Sequence, residues 1–134
     1  GPRGFLQYQC VVPPEDAEAT IGELLTLISN SGTGSFLAVL KQFGTTPSLG
    51  MLSFPRPGTT LALDFPNAGP ATFALLDQLD GTVSAAGGAV YPAKDARMSS
   101  HHFKQYFPRW RAFASFIDPA LSSSFWRRVM EQAC

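Results

Sequence analysis

Residues 5–12 read FLQYQCVV, and this run decides the fold on which the rest of the chain builds. The residues alternate between two faces, as they do on a β-strand, with one face formed by Leu6, Tyr8, Cys10 and Val12 and the other by Phe5, Gln7, Gln9 and Val11. Pro13-Pro14 ends the run, and the acidic Glu15 and Asp16 favour a helix start directly after it. The stretch predicts a strand with one apolar and one partly polar face, followed by a helix.

The next elements continue this pattern. We predict helices near 16–30 and 70–85, the second stopped by Gly87-Gly88, and further strands near 35–43, 59–65 and 89–93. The strand at 35–43 is apolar on both faces until Lys41, which predicts a central strand covered on both sides. The order strand–helix–strand–strand–helix–strand predicts an α+β fold, a mostly antiparallel sheet with two helices on one face, as in the ferredoxin-like or split βαβ unit.

The chain changes character after residue 93. We therefore divide the chain into a first portion at 1–93 and a tail at 94–134. The tail is predicted to form short helices, interrupted at Pro108 and Asp118-Pro119. The tail is dense in aromatic residues, namely Phe103, Tyr106, Phe107, Trp110, Phe113, Phe116, Phe125 and Trp126. Such a surface indicates packing on a partner that is not in this chain, or self-association.

Composition excludes several classes of protein. The 134 residues include 10 Lys+Arg and 10 Asp+Glu, so the net charge is 0. The chain therefore lacks the excess of positive charge that is typical of nucleic-acid-binding proteins. Charged residues make up only 15%, against about 25% in most soluble domains, which indicates that something other than water covers part of the surface. No signal peptide or membrane-spanning run is visible, so we expect a cytoplasmic or envelope-peripheral location. Cys10 and Cys134 are expected to be plain thiols, without a disulfide framework or a metal site.

Motifs of common enzymes are missing from the sequence, so candidates rest on pattern alone. Gln7 and Gln9 project from one strand face about 7 Å apart, and two such amides suit a sugar or a pyrophosphate, although a solvated face explains them equally well. Lys41 follows an apolar strand, although a solvated lysine at a strand end explains it as well. Residues 91–97 place two cations and one anion after a second buried strand, although an exposed, salt-bridged turn explains that run as well. The pairs Asp77/Asp80 and His101/His102 are interpreted as solvated helix positions.

A resemblance joins these runs. FLQYQ (5–9), SFLAVLKQFG (35–44), LSFP (52–55), DFP (64–66), GG (87–88), AKDAR (93–97) and FPR (107–109) resemble, in this order, the substrate (cap) domain and following tail of vanillyl-alcohol-oxidase-type flavoproteins. The resemblance spans almost the whole chain but not the family's flavin-binding half. It implies a C-terminal piece: cap domain at 1–93, and a tail at 94–134 that returns to the missing FAD-binding domain.

The resemblance also implies an activity. The parent is expected to be an FAD-dependent oxidoreductase that oxidises a secondary alcohol of a sugar, with the 2′-hydroxyl of decaprenylphosphoryl-β-D-ribose, a cell-wall arabinan precursor, as its substrate. The piece by itself is expected to bind no cofactor and to be inactive. By resemblance, Lys94 is catalytic beside the reacting carbinol, Tyr91 lies close to the flavin, and the substrate is bound by Gln7, Gln9, Lys41, Ala62 and Asp64.

Two departures keep other interpretations open. Ala62 stands where the family has a pocket cysteine, and Ser122-Ser123-Ser124 departs from an acidic pattern near the end. A sugar-lactone or alditol oxidase of the same superfamily is one alternative, although such enzymes carry His-Trp-x-Lys where this chain has Tyr91-Pro92-Ala93-Lys94. A free-standing ferredoxin-like ligand-binding module is the other, and the aromatic tail counts against it.

Overall fold

The computed structural model describes residues 3–35, 37–95 and 97–130; Phe36, Ala96 and Cys134, on which parts of the sequence interpretation fall, lie outside them. The strands are β1 (Phe5–Val12), β2 (Leu37–Phe43), β3 (Gly58–Pro66) and β4 (Ala89–Val90). The α-helices are α1 (Ala17–Asn30), α2 (Pro70–Ala85), α3 (Ser100–Tyr106), α4 (Trp110–Ala114) and α5 (Ser124–Met130). Two short 3₁₀ turns, at Pro14–Asp16 and Pro92–Lys94, precede α1 and follow β4.

The four strands form one sheet in the order β2-β3-β1-β4, with every neighbouring pair antiparallel. This order and the two helices packed on one face confirm the predicted α+β, ferredoxin-like architecture. β4 is shorter than the predicted 89–93, because Pro92 has no N–H to donate to a ladder and begins a 3₁₀ turn instead. The sheet therefore has a short edge at β4 and a longer edge at β2.

The prediction that the second strand is central and covered on both sides is wrong. β2 lies at the edge of the sheet, paired only with β3 among the described strands. Leu37 and Leu40 are 54% and 59% exposed, on opposite faces of the strand. An apolar run on both faces is typical of a buried strand, but the split βαβ connection places this strand outside β3, where the two helices leave Leu40 exposed.

The core lies between the sheet and the two long helices. Its members from the sheet include Tyr8, Cys10, Val12, Leu61, Leu63 and Phe65, and helices α1 and α2 contribute Ile21, Leu24, Ile28, Leu75, Leu76, Leu79 and Val83. A buried leucine such as Leu24 or Leu79 stabilises the fold by about 1.5–3 kcal/mol. Gly88 lets α2 close against the sheet, because a Cβ there would lie 2.4 Å from the Val11 carbonyl oxygen.

The tail packs on this same core. Met98, Phe103 and Val129 are buried in the cluster that contains the sheet residues, and so are Tyr106 and Phe107. The expectation that the tail aromatics form one exposed partner surface is therefore wrong for Phe103, Tyr106 and Phe107, whereas Phe116 remains 76% exposed. Within residues 3–35, 37–95 and 97–130, no helix combines the length and the apolar character needed to span a bilayer.

Candidate active site

The face of the sheet away from α1 and α2 brings the predicted site residues together. Residues opposite each other on antiparallel strands share a face. The register places Lys41 of β2 opposite Thr60 of β3, and Thr60 opposite Val11 of β1. The next row contains Val39, Ala62 and Gln9, and the last contains Leu37, Asp64 and Gln7. Five of the predicted residues thus lie on one surface, which we call the open face: Gln7, Gln9, Lys41, Ala62 and Asp64.

The two glutamines of this face have different surroundings. Gln7 is exposed, and its Nε2 donates to Asp64 Oδ1 at 3.2 Å. Gln9 is 9% exposed, and its Nε2 donates to the Thr60 hydroxyl at 3.0 Å. Each amide keeps its carbonyl oxygen as an acceptor and one further N–H as a donor. The pair can therefore bind two hydroxyl groups, with Gln9 held more firmly than Gln7.

One end of the open face is closed by aromatic rings. Phe54, from the loop between β2 and β3, is 3% exposed and stacks on Tyr91 with ring centroids 4.6 Å apart. It also meets Phe43 edge-on at 5.9 Å. At the opposite end Phe5 and Leu37 are more than half exposed. The face is thus a polar surface with an apolar wall at one end and an open approach at the other.

Lys41 lies on the open face without a described counter-ion. It is exposed, and within the described ranges its ammonium makes no ion pair and no hydrogen bond. The cation is available for an anionic ligand at this edge of the sheet. The same position is also explained by a solvated strand-end lysine, as the sequence left open.

Tyr91 and Lys94 lie next to Gln9. The Tyr91 N–H donates to the Gln9 carbonyl oxygen at 2.7 Å, which continues the β1–β4 pairing by one residue. The 3₁₀ turn then carries Lys94, which is half-buried and whose N–H donates to the Tyr91 carbonyl oxygen at 3.2 Å. The turn therefore starts at the edge of the open face, beside the row that contains Gln9 and Ala62.

Residues after the turn anchor it from the other side. Asp95 Oδ2 accepts the N–H of Arg97 at 2.8 Å and also that of Met98, and Arg128 of α5 pairs with the same oxygen at 3.3 Å. Arg97 Nη1 in turn bonds Asp77 at 2.6 Å and Asp80 at 3.1 Å on α2. Lys94 is thus carried on a segment fixed at both ends.

Sequence reasoning missed the charge cluster around Asp80. This carboxylate was interpreted as solvated, but it is 1% exposed and faces Arg97 and His102, whose Nδ1 lies 3.7 Å away. Burial raises the pKa of Asp80, and the charge and hydrogen bond of Arg97 oppose that rise. A signal was present, since Asp80 follows Leu76 by four residues and precedes Val83 by three, on the apolar stripe of α2.

The paired histidines are only partly solvated. His101 is exposed as predicted, but the ring of His102 is half-buried and stacks parallel to Tyr106 with centroids 5.6 Å apart. Cys10 is a free, buried thiol as predicted, and burial raises its pKa to about 12, so it is unreactive at neutral pH. In the part of the chain that the structure describes, no three His, Cys, Asp or Glu side chains are grouped to hold a metal ion.

Comparisons with known proteins give two curated relatives. The chain is 41% identical over 123 residues to decaprenylphosphoryl-beta-D-ribose oxidase from Mycolicibacterium smegmatis, covering 89% of this chain and 26% of that protein. It is 33% identical over 120 residues to an uncharacterized protein in the mprA 5′ region of Streptomyces coelicolor, covering 87% of this chain and 32% of that protein. The chain therefore spans only about a quarter to a third of the length of these relatives.

No family model matches the chain. Among solved structures, prephenate dehydratase from Streptococcus mutans aligns with a TM-score of 0.43 and 12% identity, over 66% of this chain and 40% of that one. The conclusion about what this chain is similar to rests on the sequence relatives. Across most of its length, this chain is similar to a part of decaprenylphosphoryl-beta-D-ribose oxidase, and the resemblance predicted from its sequence runs is confirmed.

Proposed function

We propose that the chain is the C-terminal substrate-domain part of an FAD-dependent oxidoreductase that oxidises a secondary alcohol of a sugar. The proposed substrate is decaprenylphosphoryl-β-D-ribose, oxidised at its 2′-hydroxyl in the synthesis of a cell-wall arabinan precursor. The observation that carries the proposal is the open face, on which Gln7, Gln9, Ala62, Asp64 and Lys41 come together. The 41% identity to an oxidase of that sugar phosphate supports the choice of substrate.

The polar groups of the open face fit a sugar. Gln7 bonds an exposed carboxylate oxygen that a sugar hydroxyl can replace. Gln9 keeps its buried bond to Thr60 and offers a sugar its carbonyl oxygen and its second N–H. Lys41, exposed at the edge strand, is the cation for the phosphate end of the ligand. Ala62 lies opposite Gln9 and next to Asp64 on the same face. Its small side chain leaves room for the sugar ring of the substrate, which a larger side chain would contact.

Lys94 is proposed to act at the reacting carbinol. Lys94 lies on the turn that begins at Tyr91, beside the Gln9 row of the open face, and its ammonium suits an alcohol whose oxygen gains negative charge as its C–H bond breaks. FAD, held by the rest of the parent protein, supplies the hydride acceptor when it is bound. Tyr91 and Lys94 would face it from the cap side, while the fixed Asp95 and Arg97 keep the lysine in position.

The test uses the parent protein that contains this chain, purified with its flavin content quantified. Lys94→Ala is expected to lower turnover about 10²–10³-fold, by analogy with the loss of one oxyanion-stabilising donor. Because Lys94 is only half-buried, flavin content and thermal stability should stay near those of the unchanged protein. Lys104→Ala is the matched control, since Lys104 belongs to α3 and lies over the Trp110 ring, 5.1 Å from its centroid.

Two results would contradict the proposal. Full turnover in Lys94→Ala would show that Lys94 has no catalytic role. A parent protein that binds no flavin would show that it is not an FAD-dependent oxidoreductase. A panel that compares decaprenylphosphoryl-ribose with sugar lactones and alditols then decides between this substrate and those of the wider superfamily.

A further inference from the structure

A second concave site lies away from the open face. The loop between β2 and β3 and the residues that end α3 enclose a cleft of about 380 Å³. Its lining includes two cations, Arg56 and Arg109, and the hydroxyls of Thr46, Ser48 and Ser53, but no Asp or Glu. A positively charged, hydroxyl-rich cleft is complementary to an anion.

Arg56 is a partly buried cation that no described carboxylate neutralises. Its Nε donates to the Phe54 carbonyl oxygen at 3.3 Å and its Nη2 to the Tyr106 carbonyl oxygen at 3.1 Å. The guanidinium lies over the Phe107 ring, 5.5 Å from the centroid. A guanidinium has five N–H donors, so these two bonds leave most of them for a ligand. Burial lowers the pKa of Arg56, as expected for a charge without an opposite partner.

The other partly buried arginines of the described chain are different. Arg97 pairs with Asp77 and Asp80, and Arg128 pairs with Asp95. Burying a cation without such a partner is costly, because the charge loses its hydration. An anion in the cleft would offset this cost at Arg56.

Arg109 supplies the second charge. It precedes α4, is exposed, and its side chain makes no ion pair or hydrogen bond within the described ranges. Arg111, two residues further, is also exposed but lies over the Trp110 ring at 5.2 Å and does not line the cleft. Arg109 and Arg111 thus form a matched pair for an experiment.

We propose that Arg56 and Arg109 form a binding site for a phosphate group, separate from the sugar site of the open face. Planar guanidinium groups bind phosphate oxygens in pairs, and the cleft hydroxyls supply further donors. The same loop also borders an apolar groove of about 510 Å³, lined by Leu52, Phe113, Ile117, Leu121, Phe125 and Trp126. The phosphate can therefore be free or carry an apolar chain that lies along this groove.

The test is a titration of the 134-residue chain, followed by amide chemical shifts, with inorganic phosphate in one arm and octyl phosphate in the other. Saturable shifts are expected at the amides of the non-proline residues in 46–56 and 106–109. Arg109→Gln should weaken phosphate binding about tenfold or more, and Arg111→Gln should leave it unchanged. Affinity should fall as ionic strength rises. Arg109 is exposed, so its variant is expected to fold, which a spectrum in the absence of phosphate verifies.

The outcomes separate the sources of the phosphate. Equal affinity for both probes identifies free phosphate, whereas tighter binding of octyl phosphate with shifts at Leu52 and Trp126 identifies a phosphate with an apolar chain. Non-saturable binding, equal binding of acetate, or equal loss in Arg109→Gln and Arg111→Gln would each overturn the proposal. None of these measurements depends on oxidase activity, so their failure is distinct from failure of the proposed function.

Discussion

The polar groups on the two sides of the sheet differ in burial: Gln7 and Lys41 of the open face are exposed, whereas Asp80 on the helix side is buried. On the open face Gln7 and Lys41 are exposed, and Gln7 bonds only a neighbouring side chain that is itself partly solvated. On the helix side Asp80 is 1% exposed and is enclosed by Arg97 and His102. Polar groups that can exchange partners are suited to binding a ligand, whereas buried and paired groups fix the fold. The exposed Gln7 and Lys41 therefore suit ligand binding and Asp80 is structural, whereas Gln9, 9% exposed and bonded to Thr60, combines both roles.

The largest expected effect tests the buried side. Asp80→Ala should lower the free energy of unfolding by about 3–5 kcal/mol, because it leaves Arg97, with a 15% exposed side chain, short of its buried partner. Asp77→Ala removes the exposed partner of the same arginine, since Asp77 is 69% exposed, and should cost at most about 1 kcal/mol. Urea denaturation of both variants measures the difference, and similar losses would contradict the contrast between the two sides.

A smaller effect is expected within the open face. Gln9→Ala should lower the free energy of unfolding by about 1–3 kcal/mol, because the Thr60 hydroxyl, in a residue 1% exposed, loses its donor. Gln7→Ala should change it by less than about 0.5 kcal/mol, since the bond to Asp64 is exposed. In the parent enzyme both variants should raise KM for the sugar. If Gln7→Ala proves the more destabilising of the two, the graded burial of this face is wrong.

Alkaline pH tests the core under β1. Burial raises the pKa of Cys10 from 9.0 to about 12, so the folded state favours the protonated thiol. This contribution to stability is complete below pH 9 and is lost as the pH rises toward 12, because the unfolded thiol ionises first. The free energy of unfolding should fall by about 1 kcal/mol between about pH 9 and 10 from this group. Denaturation curves recorded across this pH range should show a smaller change of the free energy of unfolding with pH in Cys10→Ala. An unchanged pH dependence would mean that groups other than Cys10 cause it.

The smallest effect is expected at Lys41. Lys41→Ala should change the free energy of unfolding by less than about 0.5 kcal/mol, because the side chain is exposed and makes no described ion pair. The same variant in the parent enzyme should weaken substrate affinity through loss of the phosphate contact. Thermal denaturation and steady-state kinetics on one preparation measure both quantities, and a stability loss above 1 kcal/mol, as for Gln9, would mark Lys41 as structural.

Local periodicity predicted the strands, the helices and the polar face of β1. Alternation in residues 5–12 assigned Gln7 and Gln9 to one face, and the structure keeps that face uncovered by α1 and α2. The turn chemistry of Gly87-Gly88 also ended α2 as predicted, with Gly87 at φ +72°. These features depend on neighbours within a few residues, which the sequence displays directly.

Features that depend on distant residues were not predictable in this way. The position of β2 at the sheet edge follows from strand order, which its own apolar run does not encode. The burial of Asp80 needs Arg97, seventeen residues later, to return over α2. The tail aromatics Phe103, Tyr106 and Phe107 were expected on a surface because local pattern does not reveal that the tail folds back on the core.

The edge position of β2 has a consequence for handling the protein. A seven-residue edge strand with exposed Leu37 and Leu40 offers a template to which another chain can add a strand. Lysine on an edge strand discourages such pairing, because an added strand partly removes its charge from water. Lys41 is the charged residue of β2. A variant without it is therefore expected to form aggregates at high concentration even when each molecule remains folded, and kinetic losses in Lys41→Ala should be measured on freshly isolated monomer.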